Sequence, residues 1–368
     1  MKSVAFVYLS NYKNWPLGGM LNYVLNILPF VPEYENVKVD IWGGNIVGEK
    51  QNEDIFEYTK IKIRNKLIPN FIRSFWGIIR HRKEFAKYDI VYSHTSATTI
   101  ALKLCFPSKF VVHHQHGLSY KYNHGIIRIL NIGYFIAQKV ADVSLFVASE
   151  EEVRRHHQIK TFRDKSFYSI GSPVDIKRYD NRKCNDFNTT RFIYTGRIDP
   201  WKNVMFLVHS FMEYKKRDEK ATLTIIGDGP DYNHVKEEII RLKMDKSIIM
   251  KGRLNKEEIS EELCSSDVFV FASKGEGVSL SMIEALAAGL PIVGFDVIGV
   301  RDFIIPGKTG YFSEDDTPEK FALAMRCAKE NCSKMIEDCK KSVEKYDSKV
   351  IADRIYNIIQ SEYKKVRE

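Results

Sequence analysis

Short runs of apolar and β-branched residues alternate along this chain with longer amphipathic stretches, and the alternation is written twice. The first series has strand-like runs at Val4 to Leu9, Val37 to Trp42, Ile90 to Ser93, Phe110 to His113 and Val143 to Val147. The second has Phe192 to Tyr194, Leu223 to Ile226, Ile248 to Met250, Val268 to Ala272 and Ile292 to Phe295. Apolar strands separated by helix-length segments predict parallel α/β sheets, because a crossover helix must carry the chain back before a parallel neighbour can start. Two doubly wound domains in tandem are the expected architecture, and 368 residues can fill two cores. The turn residues Gly171-Ser172-Pro173 and the polar run Asp180-Asn181-Arg182-Lys183 put the seam between Gly171 and Thr190. The boundaries drawn from this are 1–173 and 174–349. Such sheets bind ligands at the carboxyl ends of their strands, so a cleft between the two domains is the expected site.

Several function classes drop out. Arg128 and Lys139 interrupt the run from Ile126 to Val147, and Glu284 and Asp296 interrupt the one after Ser279, so no transmembrane helix is expected. The first twelve residues read as a buried strand rather than a leader, which implies a cytoplasmic protein. The 6 cysteines form no C-x-x-C pair and read as core filler. Strand alternation points His113 away from His114 and His116, with no acidic ligand beside them, so no metal is expected there.

The net charge of +9 admits a polyanion, an anionic membrane or a phosphorylated small molecule as partner. Most of the excess lies in the first domain, where Lys60, Lys62, Arg64, Lys66, Arg73, Arg80, Arg82, Lys83 and Lys87 face Glu84 alone. Within that stretch Ile68, Phe71, Ile72, Phe75, Trp76 and Ile79 follow helical spacing. Two readings stand: a basic amphipathic helix on an anionic bilayer, or a core-facing helix with solvated lysines. Nucleic acid is not favoured, since no recognised binding motif accompanies the charge. A dinucleotide-dependent dehydrogenase is weaker still, because no G-x-G-x-x-G follows the first strand.

The segment from Ser273 to Pro291 carries the most chemistry. It leaves a strand and opens a helix, with Ser279 as N-cap, an S-x-x-E pattern at Ser281 and Glu284, Gly289 as a left-handed C-cap and Pro291 as a stop. The N–H groups near Ser279 and Leu280 would face a phosphate. The Glu284 carboxylate can accept from a vicinal diol such as ribose, and Glu276 stands in the loop before, free to meet a second polyol. Asp315-Asp316, beside Thr317-Pro318, reads as a helix cap rather than a metal site.

Two acids eight residues apart mean little alone, but their context resembles the Glu-x7-Glu motif of glycosyltransferase family 4, the retaining, nucleotide-sugar-dependent enzymes of the GT-B fold. The stretch from Tyr194 to Asn203 resembles that family's strand-Gly-Arg loop, which implies that Arg197 and Lys202 bind the donor diphosphate. Ile225 to Pro230 is similar to its Gly-x-Gly turn at Gly227, Lys251-Gly252-Arg253 to the strand end that reads the base, and Gly307 to Phe312 to its late turn. In the first domain Gly18-Gly19 resembles the glycine pair that approaches the phosphate, and His116-Gly117 the histidine facing the donor sugar.

The resemblance implies two Rossmann-like domains facing a central cleft, with the last helix, about 350–368, crossing back to the first domain. Glu276, His116, Arg197 and Lys202 would be catalytic. Gly18, Gly19, Gly227, Arg253, Gly277, Val278, Ser279, Leu280 and Glu284 would bind the donor, together with Arg197 and Lys202. No cofactor and no metal are implied. The reaction implied is retaining transfer from a nucleotide-diphosphate sugar, UDP first among them, to a glycan or lipid-linked saccharide of a bacterial capsule, O-antigen or lipopolysaccharide. A GT-B-fold nucleotide-sugar epimerase is the alternative. Met20-Leu21 after the glycine pair, and Val278 and Ser279 between the acids, depart from the family pattern.

Overall fold

The computed structural model describes residues 2–8, 23, 26–27, 29–30, 37–46, 59–63, 70–116, 128–181 and 189–367. They form two compact units, one of residues 1–171 with 349–368 and the other of residues 172–348. Gly18, Gly19 and Gly117 lie outside the described residues.

The first unit holds strands β1 (Lys2–Tyr8), β2 (Val37–Ile46), β3 (Thr59–Ile63), β4 (Ile90–Ser93), β5 (Phe110–Gln115), β6 (Val143–Phe146) and β7 (Ser166–Ser169). They make one sheet in the order β3-β2-β1-β4-β5-β6-β7, with every pairing parallel. Its helices are α1 (Asn70–Arg80), α2 (Arg82–Phe85), α3 (Ser96–Cys105), α4 (Arg128–Val140) and α5 (Glu150–His157). The second unit repeats the plan with β8 (Arg191–Thr195), β9 (Thr222–Ile226), β10 (Ile248–Gly252), β11 (Val268–Phe271), β12 (Ile292–Gly294) and β13 (Gly310–Phe312), in the order β10-β9-β8-β11-β12-β13. Helices α6 (Val204–Lys215), α7 (Tyr232–Arg241), α8 (Lys256–Cys264), α9 (Leu280–Ala287) and α10 (Pro318–Val343) join and flank those strands. Helix α11 (Ser348–Arg367) closes the chain and belongs, from Lys349, to the first unit. There Glu362 accepts from Ser166 Oγ at 2.5 Å and Tyr168 Oη at 2.8 Å, and the Tyr363 ring meets Phe110 edge-on at 5.3 Å.

The expected strands are all present, with ends shifted by a residue or a few. Three more exist that the apolar pattern does not mark: β3, β7 and β13. Among the described residues all three stand at the edge of their sheet, and so tolerate the polar residues of TKIKI and SFYS.

Helix α1 leaves part of its apolar stripe at the surface. Ile78 is fully buried, whereas Ile72 is 39% and Trp76 63% exposed. Ile72 and Trp76, four apart, therefore form a stripe facing solvent, with Arg80, Arg82 and Lys83 exposed beyond it.

Sheet order decides where chemistry can sit. In the second unit the chain winds outward from β8 to β10 on one side, then returns to β11 beside β8. Loops leaving β8 and β11 thus diverge to opposite faces at a topological switch point, where they leave a crevice. Behind it lies a single core in which Phe192, Ile193, Tyr194, Val268, Phe269 and Leu286 are wholly buried.

Candidate functional site

The β8 loop is fixed by its own backbone. Asp199 Oδ1 accepts from the N–H groups of Trp201 and Lys202, each at 3.0 Å, and Asn203 turns the chain into α6 at φ 54°. Arg197 stands 64% exposed on this loop, 3.2 Å from Asp199. Lys202 instead turns inward, its Nζ 5.3 Å from the centre of the Phe271 ring.

The β11 loop is laced to the first. Trp201 Nε1 donates to the Gly275 carbonyl at 2.7 Å, the Lys274 N–H to the Trp201 carbonyl at 3.2 Å, and Lys202 Nζ pairs with Glu276 Oε1. Ser273 Oγ donates to the same carboxylate oxygen at 2.5 Å, and the Glu276 N–H is held by the Ile298 carbonyl at 3.0 Å. Glu276 is therefore not the free carboxylate that the sequence suggests. It arrives already paired with the cation assigned to the diphosphate.

Ser279 occupies the N-cap of α9 at φ −77° and ψ 120°, yet its hydroxyl meets Ser281 Oγ at 3.0 Å and caps no N–H. The S-x-x-E pattern is likewise no capping box, since the helix starts at Leu280 and Glu284 turns to Tyr179. The α9 N-terminus thus keeps first-turn N–H groups without a side-chain cap, which is the polarity that suits an anion. Ser172 Oγ fixes the preceding loop by donating to the Val278 carbonyl at 2.9 Å. At the other end Gly289 takes φ 75° and closes the helix, as the sequence predicts.

Glu284 sits in a charged pocket of its own. Burial raises its carboxyl to about 7, against opposing help from Lys256, a hydrogen bond from Tyr179, and Arg178. Burial likewise lowers the Lys256 ammonium and raises the Tyr179 hydroxyl. Tyr179, Lys256 and Arg178 are not legible as site residues in the sequence, because they join Glu284 only through the fold. Arg253, just past β10, pairs with Asp228 at 3.2 Å, both well exposed.

Gly227 is a packing position. Its N–H donates to the Gly252 carbonyl at 2.7 Å, and a Cβ there would lie 1.8 Å from the Gly196 carbonyl oxygen. The glycine lets the loop after β9 press against the loop that carries Arg197.

In the first unit His116 follows β5 and its Nε2 lies 3.0 Å from Nδ1 of His94, which follows β4. Its ring stacks on His114 at 4.7 Å and 8°, while Tyr23 meets both rings edge-on. His113 points the other way, to Thr99 Oγ1 at 2.9 Å. Burial pushes His116 down to about 3 and His113 to about 4, with the His113 imidazole adding to the effect at His116, so these rings work as neutral hydrogen-bonding groups. Among the described residues no cluster of three or more His, Cys, Asp or Glu is arranged to hold a metal ion. Nor is any described helix long and apolar enough to cross a membrane.

Residues 177–346 match the family described as "Glycosyl transferases group 1". Over 97% of its length the chain is 23% identical to an uncharacterized glycosyltransferase of Methanocaldococcus jannaschii, which it covers completely. It is 32% identical to the alpha-monoglucosyldiacylglycerol synthase of Streptococcus pneumoniae over 66% of this chain and 60% of that protein. The fold superposes on Anabaena HepE, solved in complex with UDP and glucose, with a TM-score of 0.72 at 15% identity, covering 97% of this chain and 99% of that one.

Proposed function

We propose that this glycosyltransferase, whose residues 177–346 match the group 1 glycosyl transferases, moves a sugar from a UDP-sugar to a hydroxyl of a glycan or lipid-linked saccharide with retention at the anomeric carbon. The observation that carries the reading is the convergence of Arg197, Lys202 and Glu276 on two laced loops at the switch point, ahead of the α9 N-terminus. A leaving diphosphate needs positive charge where negative charge develops. Two cations and oriented N–H groups supply it without a metal ion.

Glu276 takes the donor sugar's hydroxyls, Glu284 the ribose, Arg253 and its strand end the base, and Gly277 to Leu280 the phosphates. A same-face, internal-return path is the mechanism proposed for retention. Bacterial surface polysaccharide is the proposed product, and the lipid-synthesising relative in Streptococcus pneumoniae supports an acceptor at a membrane.

Titration calorimetry with UDP, ADP and GDP tests the donor site. UDP binding is expected, and more tightly at pH 8 than at pH 6. Only the ionised Glu284 carboxylate accepts both ribose hydroxyls, and a group titrating at about 7 gains charge as pH rises through that value. The ratio of ionised fractions across those two pH units corresponds to about tenfold in affinity. Failure of all three nucleotides removes the reading, and affinity that is flat with pH removes Glu284 from it.

The α1 stripe supports peripheral attachment to an anionic bilayer, with Trp76 and Ile72 inserted and Arg80, Arg82 and Lys83 on headgroups. Co-sedimentation with vesicles containing phosphatidylglycerol should fall steeply between low and high salt. Trp76→Ala should weaken it, and binding indifferent to salt and lipid charge rejects the attachment.

A further inference from the structure

We propose that Glu276 competes with the diphosphate for Lys202, so that the site discriminates against a nucleoside diphosphate that carries no sugar. The inference rests on the reading of Lys202 as a diphosphate contact, and it adds to the sugar-binding role of Glu276 a second one as resident counter-ion. The Lys202 and Glu276 side chains are 21% and 13% exposed. Lys202 faces the Phe271 ring on one side and the carboxylate on the other. Neither partner can swing away cheaply, because Asp199 and the Trp201 indole tie down one loop and the Ile298 carbonyl the other.

A diphosphate that takes Lys202 has to take it from Glu276. Whether that exchange is favourable depends on the rest of the ligand. A nucleotide sugar brings hydroxyls that the displaced carboxylate can accept, so one charge-assisted set replaces another. A bare nucleoside diphosphate brings none, and leaves the Glu276 carboxylate with the Ser273 hydroxyl alone in a poorly solvated place. Arg197 imposes no such condition, since it is 64% exposed and its partner Asp199 is answered by backbone N–H groups. Discrimination therefore sits on Lys202, and the spent nucleotide is the ligand held less tightly.

The test is calorimetric UDP binding to the full chain in four forms: wild type, Glu276→Gln, Lys202→Ala and the double variant. Glu276→Gln should tighten UDP binding by about tenfold, within the range of coupling between residues in contact. Lys202→Ala should weaken it, and adding Glu276→Gln to Lys202→Ala should change nothing further. Unchanged or weaker binding by Glu276→Gln overturns the competition, as does a gain of equal size without Lys202, which would mean simple charge repulsion. Glu276→Ala, run alongside with a melting curve for each form, gives the same reading should Gln fit poorly. Absence of UDP, ADP and GDP binding in the wild type is a different result, overturning the diphosphate reading itself and this inference with it.

Discussion

Glu276→Ala should lower the turnover number for sugar transfer by at least about a hundredfold while nucleotide binding survives. The asymmetry follows from where the carboxylate stands. Its oxygen is held by Lys202 and Ser273, whereas Glu284 on α9 has a separate set of partners in Lys256, Tyr179 and Arg178. Removing it strips the proposed sugar contact that must hold while the glycosidic bond breaks. The proposed nucleotide contacts stay in place. Folding should lose about 1 to 3 kcal/mol, since Lys202 is left without its carboxylate in a poorly solvated place, although it keeps its contact with the Phe271 ring. Initial rates with saturating donor, and a melting curve beside them, separate a chemical loss from a folding loss. Wild-type turnover in this variant removes Glu276 from the reaction.

What the sequence makes legible is whatever is repeated or locally encoded. Parallel strands buried on both faces announce themselves by composition, and the helix stop by Gly289 and Pro291, whereas the order of Arg197, Lys202, Glu276 and Glu284 carries meaning only through the family resemblance. The edge strands β3, β7 and β13 do not, because each has one sheet neighbour among the described residues and polar residues cost little at such an edge. Partners across the fold are hidden for a different reason. Lys202 and Glu276 are distant in sequence, and their pairing exists only because β8 and β11 are neighbours while their loops are tied through Trp201. The same holds for Tyr179 and Lys256 around Glu284, and for His94 against His116. Helix α1 shows the opposite case. Its spacing is plain, but spacing alone cannot say which stripe a neighbouring element covers, and Ile78 rather than Trp76 is the residue taken inside.

Gly227→Ala should destabilise the second unit by about 3 kcal/mol or more, a drop of roughly 10 °C in Tm for a unit of this size. Two costs coincide at this position. Its φ of 138° lies where an L side chain is strained, and the new Cβ would stand 1.8 Å from the Gly196 carbonyl oxygen. Relief by backbone movement is blocked from both sides. The Gly227 N–H is spent on the Gly252 carbonyl at 2.7 Å, and the Gly196 N–H on the Ile226 carbonyl at 3.0 Å, so either loop that retreats gives up a ladder bond at the edge of a fully packed core. The Ile198 N–H bond to the Asp228 carbonyl at 3.0 Å ties the next residues together as well, so the strain passes directly to Arg197. Transfer should therefore fall even at temperatures where the variant stays folded. Gly307→Ala supplies the control: its φ of 77° carries the backbone strain, but no atom lies within 4 Å of the added Cβ, and the cost should be only about 1 kcal/mol. Equal losses in the two variants would mean that backbone strain alone sets the cost. A much larger loss at Gly227 shows that the contact between the β8 and β9 loops is what holds the Arg197 loop in register with the crevice.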